Sequence, residues 1–221
     1  GEDQRFVSSV VDQYVQIVES TGQDSRFTPE QRLALAERAY QLTPDDPFVL
    51  KTLARFTDDP SVGPQASALL SDRVEQGDLT PATHLVLGKI AYSRRDDAAA
   101  RRHYEAAHRM RPRDSRIMNN LAWLLATTSP VDLSRALELA NQAIELDPTS
   151  ASNRDTRGRV LAKLGRWQEA AVDLELAVNG LPYEPGIHDT LATVYEHLGR
   201  PELADAQRRH ESTTLRDRQI P

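Results

Sequence analysis

The 221-residue sequence contains no cysteine, which excludes disulfides, thiolate metal sites and a cysteine nucleophile and leaves the redox compartment open. Aromatic residues are scarce at 5%, and no apolar run approaches the length of a membrane span or reads as the core of a signal peptide. Also missing are a glycine-rich phosphate loop, G-x-S-x-G, H-E-x-x-H and a metal-spaced acidic loop. The histidines are scattered. His103 and His108 do not share a helical face, while His84 and His188 read as packing or rim positions. The acid pairs Asp45-Asp46, Asp58-Asp59 and Asp96-Asp97 fall at turns, where aspartate caps helices. No catalytic residue, metal ligand or cofactor is expected, and an enzyme reading has no residues to stand on. What is present is the composition of a water-soluble helical chain: 27% charged, 39% apolar, rich in alanine and leucine, with net charge −6 and mean hydropathy −0.56. The chain begins at Gly1 and is expected to be a fragment or a processed chain, so an export signal or anchor would lie outside it and localisation is left open.

The chain repeats itself. Pro112, Pro148 and Pro182 are spaced by 36 and then 34 residues, and each closes a run with small residues at matching offsets. Gly88, Ala122 and Gly158 fall inside a first helix; Ala100, Ala136 and Ala170 open a second; Ala107, Ala143 and Ala177 lie near its end. Small side chains recurring at one register are what a close helix crossing needs, and proline ends the second helix because it cannot donate the next hydrogen bond. Pro47 and Pro81 mark the first positions of two units. The earlier one is degenerate, with Ala54 and Ala66 at its small positions but Arg73 and Asp78 in place of the expected alanine and proline. Leu33, Leu35, Ala36, Ala39, Leu42 and Pro44 match Leu137, Leu139, Ala140, Ala143, Leu146 and Pro148 at a constant offset of 104 residues. The two extra residues of one unit are expected in the turn 127–131.

This pattern resembles the tetratricopeptide repeat, a helix–turn–helix unit of 34 residues. The resemblance implies an all-α, right-handed superhelical solenoid of antiparallel helix pairs, with five to six repeats and about twelve helices. Expected divisions are a divergent or capping pair at 1–46, a degenerate repeat at 47–80, repeats at 81–114, 115–150 and 151–184, a C-terminal repeat with capping helix at 185–216, and a tail at 217–221. The first helix is expected over about 4–19. Thr28-Pro29 and Thr80-Pro81 signal helix starts, and Gly77, Gly165, Gly180 and Gly199 read as left-handed stops. In the last helix, about 201–215, Arg208 and Glu211 replace packing residues, which reads as a true C-terminal cap.

By the same resemblance, the first helices line a concave groove that holds a protein segment, and function lies in its side chains. The expected groove residues are Phe48, Lys51 and Arg55; Leu85, Lys89 and Tyr92; Arg116, Asn119 and Trp123; Asp155, Arg159 and Lys163; and Asp189, Thr193, Glu196 and His197. The partner-binding site is centred on Lys51, Arg55, Lys89, Tyr92, Arg116, Asn119, Trp123, Arg159 and Lys163. Its middle is basic and aromatic, which suits an acidic or mixed segment. Chaperone-binding relatives grip a terminal carboxylate with Lys and Asn residues; here only Lys51 matches, and that clamp is expected to be absent. Trp123 either anchors a partner or packs on the lengthened turn, whereas Trp167 reads as core.

A second surface competes. Arg94, Arg95, Arg101, Arg102, Arg109, Arg111, Arg113 and Arg116 outnumber the acids among them, and Arg101, Arg102 and Arg109 project away from the groove. This reads as a solvated face or as a site for an acidic protein; the net charge of −6 opposes nucleic acid. The expected protein is therefore a non-enzymatic adaptor for a protein or peptide. The alternatives are an assembly scaffold using the N-terminal helix and the arginine-rich face, or a regulatory portion of a larger enzyme or membrane protein. Phe6, Val10 and Ile17 on the first helix suggest either a cover supplied by a preceding unit or a second chain, as in a homodimer, or a self-contained cap.

Overall fold

Helix starts follow from local chemistry. Thr28 accepts from the Gln31 amide while the Gln31 side chain accepts from the Thr28 amide, a reciprocal cap with Pro29 pre-set at the first helical position. Thr80 accepts from the Thr83 amide, and Asp46, Asp114, Asp132 and Ser150 cap other helices. The turn aspartates Asp59 and Asp96 likewise accept backbone amides, as expected for capping residues.

In the computed structural model, residues 2–21, 26–44, 46–75, 80–184 and 186–217 are described. Twelve α-helices, and no strand, occur among them. Asp45, Gly77, Asp78, Pro185 and the last residues of the tail lie outside the described residues, as do the side chains of Phe6, Arg73 and Glu211. The chain divides into two units, Gly1–Met110 and Arg111–Pro221.

The first unit holds α1 (Glu2–Ser20), α2 (Pro29–Leu42), α3 (Pro47–Phe56), α4 (Gly63–Glu75), α5 (Pro81–Ser93) and α6 (Asp97–Met110). In sequence order α1 packs on α2, α2 on α3, α3 on α4 and α5 on α6, and α3 also packs against α1 and α5. Val7, Val11, Tyr14, Val15 and Val18 of α1 join the core built by Leu33, Ala36, Ala39, Val49, Leu50, Leu53 and Ala66, so the valine periodicity is used internally. Ile17 stays 39% exposed. In the degenerate repeat Ala66 is buried but Ala54 is only half-buried.

The second unit holds α7 (Ser115–Thr127), α8 (Leu133–Leu146), α9 (Ala151–Lys163), α10 (Trp167–Gly180), α11 (Ile187–His197) and α12 (Pro201–Asp217). Here α9 touches both α7 and α11, so the three first helices lie side by side. Residues 128–132 form the connection between α7 and α8. The last helix runs past 215 to Asp217, so the first residue of the expected tail is still helical. Arg208 pairs with Glu196 of α11 at 2.7 Å, giving α12 the polar register of a terminal helix.

The small positions behave as the repeat requires. Ala100, Ala107, Ala122, Ala136, Ala143, Ala170 and Ala177 are fully buried. A Cβ on Gly88 would lie 2.5 Å from the Tyr104 ring, and one on Gly158 would lie 2.7 Å from Leu174 Cγ, closer than real atoms approach. Gly165 and Gly199 are left-handed, at φ 74° and 68°. Gly180 is not: it is the last residue of α10, and its missing Cβ makes room for Ala151, whose own Cβ would be 2.6 Å away. Arg95 stands at the repeat position of Gly165 and Gly199 and adopts the same left-handed turn with φ 62°.

One register joins the two helices of a pair through side chains of changing chemistry. His84 meets His103, Arg154 meets Asp173, and His188 meets Gln207, each partner nineteen residues further on. The equivalent residues of α7 and α8 are Met118 and Leu139, both buried.

Candidate partner-binding surface

In the first unit, Lys51, Arg55 and Lys89 are exposed and Tyr92 is half-buried. Arg55 lies 3.8 Å from Glu19, and Phe48, at the start of α3, is 70% exposed. Arg94, at the end of α5, donates to the Thr57 carbonyl at 2.9 Å and to Ser67 Oγ at 3.0 Å, tying one repeat to the preceding one. Arg101 pairs with Glu105 along α6 at 3.2 Å, whereas Arg102 and Arg109 are exposed. The basic stripe is thus partly consumed by its own neighbours.

His84 and His103 approach with their Nδ1 atoms 3.0 Å apart, one donating and the other accepting. Burial lowers both pKa values; Arg109 adds to the effect on His84, and His84 and Arg102 add to that on His103, against a smaller opposing pull from Asp96. With folded values below the ordinary 6.5, the unfolded chain takes up protons first. The pair's contribution is therefore complete above about pH 6.5 and is lost as the pH falls toward the depressed folded values. The melting temperature is expected to drop between about pH 7.5 and 5.5, and to drop less in His103→Asn. Equal drops in the two proteins would refute the assignment.

In the second unit four of the expected residues of α7 and α9, Asn119, Trp123, Asp155 and Arg159, line a pocket of about 320 Å³ together with Asn120, Ser152, Thr156, Leu181 and Glu184, while Arg116 and Lys163 lie outside it. The Arg159 guanidinium lies 5.4 Å from the centre of the half-buried Trp123 ring, and its Nε donates to Asp155 Oδ1 at 2.6 Å. Burial raises the Asp155 pKa, and Arg159 opposes that shift. Lys163 donates to the Ala126 carbonyl at 2.8 Å. Two of the expected groove cations are therefore already engaged, one by a spacing of four along α9 that the sequence displays and one by tertiary packing that it does not. Arg116 is 74% exposed beside Asp114. Asn119 is half-buried, and its Oδ1 has no hydrogen-bond partner.

Other groove positions face elsewhere: Glu196 turns to Arg208, and His197 stacks on Trp167 at 3.8 Å between centroids. Trp167 is half-buried against the core of the second unit. The sequence reading missed Asn120 and Glu184 at the pocket, and Arg32 in the first unit.

No group of three or more His, Asp or Glu side chains able to hold a metal occurs among the described residues, and no described helix is long and apolar enough to cross a membrane. No protein-family model and no curated protein matches the sequence. Solved structures do match in shape. The Cut9-Hcn1 hetero-tetramer of APC/C has a chain that superposes with a TM-score of 0.71 at 15% identity over 92% of this chain, which spans 40% of that one. PilF of Pseudomonas aeruginosa gives 0.66 at 16% identity, covering 91% of this chain and 90% of that one. MamA of AMB-1 gives 0.58 at 21%, covering 76% and 97%. These are tetratricopeptide-repeat structures, and the likeness shows that this chain has their all-α helix-pair repeat fold.

Proposed function

We propose that the protein is a non-enzymatic adaptor that holds a segment of a partner protein against the first helices of its repeats. The observation that carries this reading is the pocket on α7 and α9. An aromatic face, a half-buried amide with an unpartnered oxygen and a buried ion pair there surround a space no side chain of the unit fills. Such a site combines apolar area with a few fixed polar groups, the composition of a recognition surface. The repeat fold of its structural neighbours supports protein partners in general terms.

Charge reversal should avoid Arg159, because a carboxylate there would face the buried Asp155. Arg116→Glu, an exposed groove position, together with Trp123→Ala, which removes the aromatic wall of the pocket, is expected to abolish capture of the native partner from lysate with helical content unchanged, by adding repulsion for an acidic or mixed segment and deleting the apolar anchor. Arg102→Glu with Arg109→Glu is expected to leave capture intact. The opposite pattern would transfer the function to the arginine-rich face and the scaffold reading. Capture should weaken as salt rises from low to physiological, where charges are screened over about 8 Å.

A further inference from the structure

We infer that the pocket formed by α7, α9 and the connection from α10 to α11 receives the side-chain ammonium of a lysine carried by the partner segment. This names the chemistry of the segment and rests on the adaptor reading for its biological meaning.

Three charged side chains line the pocket: Asp155 and Arg159 of α9, and Glu184 from the connection. Two of them already match. Arg159 Nε donates to Asp155 Oδ1 at 2.6 Å, and the Asp155 side chain, 12% exposed, takes no other hydrogen bond among the described residues, so Oδ2 is left for a further donor. Glu184 is exposed and has no ion pair or side-chain hydrogen bond among the described residues. Burial raises the Asp155 pKa, Arg159 opposes the rise and the Glu184 charge adds to it, so the two carboxylates feel each other. The pocket thus carries one negative charge more than it balances, and a bound cation removes both the excess and the repulsion. The nearby groove cations do not supply it. Arg116 is 74% exposed beside Asp114 at 3.5 Å, Lys163 donates to the Ala126 carbonyl, and both stand outside the pocket.

The acceptors select among cations. Asp155 offers one oxygen and Glu184 the rest, on different elements. A compact ammonium with three donors can meet both residues, whereas a planar guanidinium is best matched by two oxygens of one carboxylate, as Arg157 is by Asp173 at 2.6 and 2.9 Å. Trp123 and Leu181 give the methylene stem of a lysine an apolar wall, and about 320 Å³ admits an extended side chain. Arg116 lies one turn before Asn119 and Asn120 on α7, where it can meet an acid on the same segment. The segment is accordingly mixed in charge and not acidic throughout.

The probe is Nα-acetyl-lysine amide, compared with its Nε-acetylated form and with the Nα-acetyl amides of arginine and glutamate. The readout is the indole N–H resonance of Trp123 in the full chain, with that of Trp167, outside the pocket, as internal reference. A saturable shift of Trp123 is expected, tightest with the lysine compound, while Trp167 stays still. Glu184→Gln should weaken binding about threefold, the worth of an exposed charge pair, and Glu184→Lys at least about tenfold by adding repulsion. Asp155→Asn should weaken it about tenfold through loss of a shielded charged acceptor. Equal shifts with the Nε-acetylated compound, tighter binding of the arginine or glutamate compound, or undiminished binding by Glu184→Lys would overturn the assignment. If Asp155→Asn fails to fold by circular dichroism, the exposed Glu184→Lys decides alone. A saturable lysine site in a protein that captures no partner would sink the adaptor reading while leaving this pocket standing. Capture of a partner by a protein that binds no lysine compound would overturn the assignment of the pocket alone.

Discussion

Asp173→Ala is expected to cost the second unit about 3–5 kcal/mol, toward the lower end because its arginine partners keep some contact with water. The Asp173 side chain is only 2% exposed and takes a bidentate grip from Arg157 together with a 3.3 Å contact from Arg154. Arg157 also donates to Asn141 at 3.1 Å, so one carboxylate organises α8, α9 and α10. Removing it leaves two half-buried guanidinium groups near one another with only the Glu169 carboxylate to oppose their charge, and that is why the loss exceeds the worth of an exposed ion pair. For a unit of this size each kcal/mol moves the melting temperature by roughly 4–8 °C, so differential scanning calorimetry should show a drop of more than 10 °C, on the order of the whole margin of a small domain. Adding Arg157→Leu to Asp173→Ala should recover part of the loss, since an apolar replacement removes the stranded charge. A double variant as unstable as Asp173→Ala alone would show that the carboxylate matters for a reason other than charge balance.

Gly158→Leu is the second large effect. A single added Cβ would already meet Leu174 Cγ at 2.7 Å, Cδ2 at 3.0 Å and the Asp173 Cβ at 3.3 Å, so a full leucine must push α9 and α10 apart. Overpacking of this kind costs about 1–3 kcal/mol. Gly158→Ala should do much less harm, because the roughly 1 kcal/mol gained by replacing a helical glycine offsets part of the displacement of Leu174. Combining Gly158→Leu with Leu174→Ala should restore some of the volume balance and some of the stability. If Gly158→Leu melts with the parent protein, the helices do not cross at this register.

Those two substitutions also mark what a sequence displays and what it hides. Gly158 and Gly88 are legible because a close approach of two helices forbids a side chain at the same place in every repeat, so the constraint prints itself as a periodic small residue. The alanines at 100, 136 and 170 are legible for the same reason. Asp173 is not, since its partners sit on another helix and in only one repeat, where no period can reveal them. Lys163 reads as a groove cation until its contact with the Ala126 carbonyl is seen, and Gly180 reads as a helix stop until Ala151 is found against it. Arg32 is hidden for a similar reason: it lies on a second helix, off the first-helix positions of the groove pattern, and only packing brings it to a pocket. In each case a pairwise contact replaced a periodic one.

The register that sets His84 against His103, Arg154 against Asp173 and His188 against Gln207 bears on how the chain avoids assembling wrongly. Helices cut to nearly one pattern, with alanines at the same offsets, could exchange partners, and α5 would meet α10 with the same ridges that meet α6. The slot makes that swap expensive. It would place the His84 imidazole against a carboxylate built for two guanidinium groups and leave Arg154 facing His103. A shared shape with unshared chemistry gives each helix one correct mate, as differently toothed keys of one blank open only their own locks.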